Sequence, residues 1–185
     1  MPKIKLSPWQ IAIEFLSVVF AVLLALGLNS YKANNDLESE AELLSSKIIK
    51  ELKRNKLELD TVLIRNKDFK TYVDSLQAVD TLPQSLELSF ASELLTKSAW
   101  DFTKASRSFS YLDEDFLEEA AALYERQDYY MHISNQMFQN LAEMLMTDPP
   151  MERTLIMSNY FLLNLNASGD NLAESYQEFL SKHVD

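Results

Sequence analysis

From Trp9 to Leu28 the chain is apolar at all but three positions, Gln10, Glu14 and Ser17. Wound as a helix, such a run is about 30 Å long, which matches the hydrocarbon core of a bilayer. Beyond it the pattern changes to an amphipathic one. Ala41, Leu44, Ile48, Leu52, Leu59, Val62, Phe69, Val73 and Leu76 follow the three- and four-residue steps of a single helical stripe, which predicts a helix from about Asp36 to Ala78 that continues from the span. Pro83 within Asp80 to Ser85 predicts a turn.

A shorter helix is predicted through Leu94, Leu95, Ala99, Trp100 and Phe102 to about Ala105, with Arg107 to Leu112 as a connector. Asp113 has the chemistry of an N-cap, and Glu114 and Asp115 suit the first turn behind it. Leu117, Ala120, Tyr124, Met131, Phe138, Leu141 and Leu145 then mark a third helix, closed by Asp148, Pro149 and Pro150. The last segment, Glu152 to about His183, carries Ile156, Tyr160, Leu163, Leu172, Tyr176 and Phe179, with a kink or split expected in Asn166 to Asn171 around Gly169. The fold class is therefore all-α: an N-terminal transmembrane helix continuing into an antiparallel bundle of about four helices. The expected division is a short cytoplasmic N-terminus over residues 1–8, a span over 9–29 and an extramembrane bundle over 30–185.

Two other readings of the apolar run compete. A cleaved signal peptide would also combine a basic start, an apolar stretch and small residues, here Ala25 to Gly27, although Glu14 is out of place in a signal core. A core helix of a soluble protein is less favoured, because the residues opposite the most polar positions show no charged face. Lys3 and Lys5 precede the span and only Lys32 closely follows it, a bias that puts the N-terminus in the cytoplasm and the bundle outside. Trp9 and Tyr31 bracket the run, as amphipathic rings at the two membrane interfaces do.

Composition narrows the picture. Two glycines and five prolines leave little turn chemistry for sheets, and the lack of cysteine excludes disulfides and thiolate catalysis. The net charge of -11 argues against nucleic acid as a partner and against anionic lipid surfaces for the bundle. Charge is also unevenly distributed: Lys47 to Lys70 holds eight basic and four acidic residues, whereas Tyr111 to Asp185 holds three basic and fourteen acidic. The two regions are expected side by side, or as two separately solvated faces, since exposed ion pairs contribute only about 0 to 1 kcal/mol each.

Two patches, EFLSVVFAVLLALGLNSYK from Glu14 to Lys32 and SAWDFTKASRSFSYLDEDFLEEAAALYERQ from Ser98 to Gln127, resemble a family of uncharacterised bacterial single-span membrane proteins with a helical C-terminal domain. The likeness covers about a quarter of the chain. It departs from the family at Ala21 and Arg107, where the family carries Gly, and at Tyr31, where it carries Trp. The resemblance implies a bacterial membrane location and the architecture above; the family has no established activity, so it implies no catalytic residues.

Candidate functional positions are few. Gln10, Glu14, Ser17, Ala21 and Ala25 fall on one helical face, a polar and small-residue stripe suited to contact with another membrane helix, from a second copy or another protein. The plainer alternative is that Glu14, close inside Trp9, reaches the headgroups. Trp100, beside Asp101, is read as a core anchor in preference to a ligand contact. Tyr124, Gln127 and Tyr130 could line a polar pocket, but the favoured reading makes Gln127 a satisfied polar group that fixes register, with Tyr124 anchoring the core. Six methionines between Met131 and Met157 read as core filler before they read as a binding surface.

His132 and His183 lack metal-site spacing and read as surface residues; no nucleophile elbow or phosphate loop exists. Asn166-Ala167-Ser168 spells a glycosylation acceptor, set aside on the bacterial resemblance. The expected function is a non-enzymatic, membrane-anchored interaction or scaffold protein, without cofactor or metal, whose contacts are membrane lipid and another membrane helix. A ligand-sensing bundle acting through a partner is the second reading.

Overall fold

The computed structural model describes residues 8–79, 90–91, 94–147 and 149–184. The fold is all-α, with α1 at Pro8–Gln77, α2 at Ser98–Ala105, a short 3-10 helix η1 at Arg107–Tyr111, α3 at Glu114–Leu145 and α4 at Met151–His183. The turn expected at Asp80 to Ser85 lies outside the described residues.

α1 is one helix of 70 residues, about 105 Å long. Pro8 opens it, as a residue with no N–H to leave unpaired can. Nothing between the apolar run and the amphipathic stripe breaks it, so the two periods share one rod. From Ala12 its first part is exposed: the apolar stretch reaches a mean hydropathy of 2.2 with 0% of it buried inside the protein. A helix buried in this protein's own core is thus excluded for the run. From Ala41 the stripe turns inward, and Ala41, Leu44, Ile48, Leu52, Leu59, Val62, Phe69 and Val73 are all buried.

α4 lies antiparallel on α1, as Lys67 pairs with Asp170 at 2.7 Å while Asn159 donates to Asp74 at 2.6 Å. α3 lies antiparallel on α4, with Glu119 meeting His183 and Arg126 donating to Ser175. α1 and α3 are consequently parallel, and Glu51 faces Tyr124 while Asn55 faces Gln127. The acidic and basic regions do lie side by side. Among the described residues, however, Lys67–Asp170 is the only ion pair joining the two stretches.

The parallel order requires the chain to travel back along α1 before α2 begins, and two asparagines hold this return. Asn66 accepts from the Ala91 N–H at 2.9 Å and donates to the Ala91 carbonyl at 3.1 Å. Asn55, eleven residues earlier, accepts from the Thr96 N–H at 3.2 Å and donates to its carbonyl at 2.6 Å. Each side-chain amide thereby substitutes for a neighbouring strand. Leu94 and Leu95 are therefore not helical, contrary to the apolar pattern, because α1 claims backbone groups in their segment that a helix would use internally. α2 starts only at Ser98.

Asp113 caps α3, accepting from the Phe116 N–H at 2.9 Å. α4 runs unbroken through Asn166 to Asn171, where the sequence suggests a split. Gly169 serves close approach instead: a Cβ there would lie 2.6 Å from Leu63 Cδ2 and 3.3 Å from Tyr130 Cε2, so α1, α3 and α4 converge on the missing side chain. The stripe of α4 also differs from expectation. Leu155, Leu162, Leu165, Leu172, Tyr176 and Phe179 are buried, whereas Ile156, Tyr160 and Leu163 are more than half exposed.

Replacing Asn66 with alanine removes two hydrogen bonds and leaves both polar groups of Ala91 without their partner. It is expected to cost about 2 kcal/mol of bundle stability in chemical denaturation, with faster hydrogen exchange at Ala91 than at α3 amides. Unchanged exchange at Ala91 would show that the side chain does not hold the return segment.

Candidate functional site

Several buried polar side chains of the bundle meet around Glu51 and Gln127. Glu51 projects from the core-facing side of α1 and is 7% exposed. One carboxylate oxygen accepts from Tyr124 Oη at 2.7 Å; the other accepts from Ser98 Oγ at 2.7 Å, the Ala99 N–H at 3.0 Å and Thr96 Oγ1 at 3.2 Å. The residue preceding α2, Lys97, supplies no side-chain cap. Glu51 caps that helix from another element, placing its negative charge at the positive end of the α2 dipole. Burial by itself raises the carboxyl pKa, but the bonds from Ala99, Tyr124, Ser98 and Thr96 outweigh it and hold the group below the ordinary glutamate range. The same contact acts oppositely on Tyr124, whose phenol is pushed far up by burial and by the Glu51 charge and so remains a donor.

One turn further along, Gln127 is 1% exposed. Its Oε1 accepts from Tyr176 Oη at 2.6 Å and from Asn55 Nδ2 at 3.0 Å, and its Nε2 donates to the Thr96 carbonyl at 3.2 Å. Burial pushes the Tyr176 phenol up as well, keeping it protonated for this bond. Trp100, 8% exposed, stacks on Tyr124 with ring centroids 5.4 Å apart and planes 13° from parallel. The three expected core anchors, Trp100, Tyr124 and Gln127, thus lie together. Asp101, the other half of the Trp-Asp pair, turns outward and bonds to Lys104 at 2.9 Å. Tyr130 is buried among the hydrophobic residues, and that burial pushes its phenol up to about 12.

Glu51, Asn55 and Asn66 escape an apolar reading of the sequence, yet the signal is present. The stripe steps by three or four residues from Ile48 to Val73 except for gaps between Leu52 and Leu59 and between Val62 and Phe69; Asn55 and Asn66 fill those gaps. Chemically, the cluster is a closed network in which each carboxylate oxygen already has a donor. That arrangement holds elements together, with Glu51 bonded at once to the return segment, α2 and α3.

The candidate membrane face is placed differently. Gln10, Glu14, Ser17, Ala21 and Ala25 belong to α1 ahead of the bundle. Glu14, Ser17, Ala21 and Ala25 are exposed, and Ser17 Oγ donates to the Glu14 carbonyl at 2.8 Å. The serine proton is thus used within the helix, leaving its oxygen free to accept. His132 is exposed as expected. His183 is not a plain surface residue: its ring packs against Phe116 and Phe179 at 5.2 and 4.6 Å between centroids, and Nε2 lies 2.7 Å from Glu119. Met131, Met137 and Met151 are half-buried against the core while Met146 is exposed. Among the described residues no group of three or more His, Asp or Glu side chains is placed to hold a metal ion.

No protein-family model, curated protein or solved structure matches the chain.

The depressed pKa of Glu51 fixes the sign of a pH dependence. The carboxylate contributes stability above its unfolded pKa, about 4.3, and that contribution is lost as pH falls through the lower folded value. Glu51→Gln is expected to cost about 2 to 3 kcal/mol at pH 7, as loss of charge-assisted hydrogen bonds does, and to flatten the fall of stability below about pH 4.3. Denaturant midpoints measured from pH 7 to pH 3 test this; parallel pH profiles for the two proteins would contradict it.

Proposed function

We propose that the chain is a non-enzymatic, membrane-anchored interaction protein, an accessory subunit of an envelope complex or a self-associating scaffold. The observation that carries the reading is the apolar start of α1, which is long enough to cross a bilayer, wholly uncovered by the rest of the protein, and continuous with the helix at the centre of the bundle. In this reading residues 9–29 span the bacterial cytoplasmic membrane, the N-terminus is cytoplasmic and the bundle stands outside. The lysine bias, the bracketing Trp9 and Tyr31 and the resemblance to single-span membrane proteins support that placement. The helix face of Glu14, Ser17, Ala21 and Ala25 then meets another membrane helix, while Phe15, Val19 and Leu23 face lipid. A second feature favours protein contacts: Ile156, Tyr160 and Leu163 form an exposed apolar line on α4, a surface that solvated monomers seldom leave free when it is contiguous.

Photo-crosslinkers placed singly at Ser17, Ala21 and Ala25 in intact membranes are expected to give a discrete protein adduct, and those at Phe15 and Leu23 chiefly lipid adducts. The chain is expected to stay in the pellet after an alkaline carbonate wash, with Trp9 still present in the mature protein. Release by carbonate, or a mature N-terminus beyond Gly27, would refute the anchor; retention without adducts on the small-residue face would refute the helix contact alone.

A further inference from the structure

Where α2 lies across α1, Lys47, Lys50 and Arg54 face Ser98, Ala99 and Phe102 over an open cleft of about 400 Å³, within the range of small-molecule sites. The three cations recur at steps of three and four on one side of a single helix, a spacing at which like charges repel. The protein does little to neutralise them. Among the described residues Lys47 and Lys50 have no acidic partner, and Arg54 reaches only Glu58, at 3.7 Å. Glu51, bonded to Tyr124, Thr96, Ser98 and Ala99, stands at the back of the cleft, so the lining carries three positive charges against one negative. A concentration of positive charge thus surrounds a cavity in a chain whose net charge is -11.

The opposite wall is aromatic. Phe102 is 58% exposed, and Lys47 Nζ lies 5.3 Å from its ring centroid. We propose that this cleft binds a small organic anion, with a carboxylate or phosphate group held by Lys50 and Arg54 and a flat apolar part laid against Phe102. Arg54 is suited to such a ligand, because its guanidinium gives one N–H to Thr96 Oγ1 and keeps others for an oxyanion. On the membrane reading above, Lys50 lies nineteen helical steps beyond Tyr31, about 29 Å, which puts the cleft beyond lipid headgroups and makes a soluble anion its occupant. The cleft itself does not depend on that reading. Bound there, the anion would bridge α1 and the start of α2 and tighten the contact that Glu51 already makes.

The test is titration of the full chain in detergent micelles with phenyl phosphate, benzoate, inorganic phosphate and benzyltrimethylammonium, followed by calorimetry and by amide shifts at Lys50, Ser98 and Phe102. Phenyl phosphate or benzoate should saturate at least tenfold more tightly than inorganic phosphate, and the tighter of the two identifies the head group. Benzyltrimethylammonium should not bind. Lys50→Gln and Arg54→Gln should each weaken binding about tenfold, the effect of losing one charge-assisted hydrogen bond. Phe102→Ala should reduce the aromatic anions to the affinity of inorganic phosphate. These side chains lie outside the core, so unchanged thermal unfolding would verify that each variant is intact. Failure of both aromatic anions to saturate, shifts confined to other residues, or equal binding by the Lys50→Gln/Arg54→Gln double variant would overturn the proposal. None of these outcomes bears on whether α1 crosses a membrane.

Discussion

A buried carboxylate is costly unless donors surround it, and Glu51 sets that condition for this bundle. Its donors come from three separate places: Thr96 on the return segment, Ser98 and Ala99 at the start of α2, and Tyr124 on α3. Gln127 repeats the arrangement one turn on, joining Asn55 of α1, Thr96 and Tyr176 of α4. Hydrophobic burial is non-directional and would tolerate α3 sliding by a turn along α1. The polar network does not, because such a slide would strand Glu51, Gln127 and Tyr176 in a low-dielectric interior. Burial supplies the driving force, and the network selects one register from those that burial alone would allow.

The same division of labour continues toward the apolar end of α1. Glu40 accepts from Ser106 at 3.2 Å and Ser108 at 2.8 Å, and Tyr111 donates to Asn34 at 3.1 Å. η1 is thereby fastened to α1 within the first turns after the apolar run. The segment that begins α3 follows directly, so its acidic first turn, Glu114 and Asp115 behind the Asp113 cap, sits at that same end of the bundle. On the reading proposed above, a membrane there would meet negative charge, which would favour a bundle standing off an anionic surface. Ion pairs contribute less to this geometry than the charge segregation suggests. Lys67–Asp170, half-exposed on both sides, is the sort of contact that salt screens and that adds at most about 1 kcal/mol.

Sequence periodicity makes the helices legible because it records which face leaves water, and the α1 stripe and the Asp113 cap require nothing else. It fails where a tertiary partner replaces a local one. Leu94 and Leu95 look like the start of a helix until Asn55 and Asn66 take up the neighbouring backbone groups, and neither asparagine announces that role in isolation. Gly169 looks like a break because glycine weakens helices by about 1 kcal/mol, whereas its use is steric, admitting Leu63 and Tyr130. On α4 two apolar lines compete, one through Ile156, Tyr160 and Leu163 and one through Leu155, Leu162 and Leu165; periodicity cannot rank them, since only the position of α1 decides which is covered. The cation cleft is equally hidden: Lys47, Lys50 and Arg54 are visible as a basic stretch, but the wall carrying Phe102 comes from a helix some fifty residues away.

The continuity of α1 ties these features together mechanically. Its 70 residues contain no proline after Pro8 and a single glycine, Gly27, which has nothing within 4 Å of where a side chain would sit. A helix without a hinge transmits rotation as well as displacement, so turning the apolar part about its axis turns Glu51, Asn55 and Asn66 by nearly the same angle, and with them the return segment and α2. On the reading proposed above, whichever helix meets Ser17, Ala21 and Ala25 in the membrane also determines which side of the bundle faces a neighbour. Contacts in lipid and contacts in water are then not independent choices. A partner that satisfied one face while clashing with the other could be accommodated only by unwinding α1, and the most economical place for that is Gly27, which no neighbouring side chain restrains.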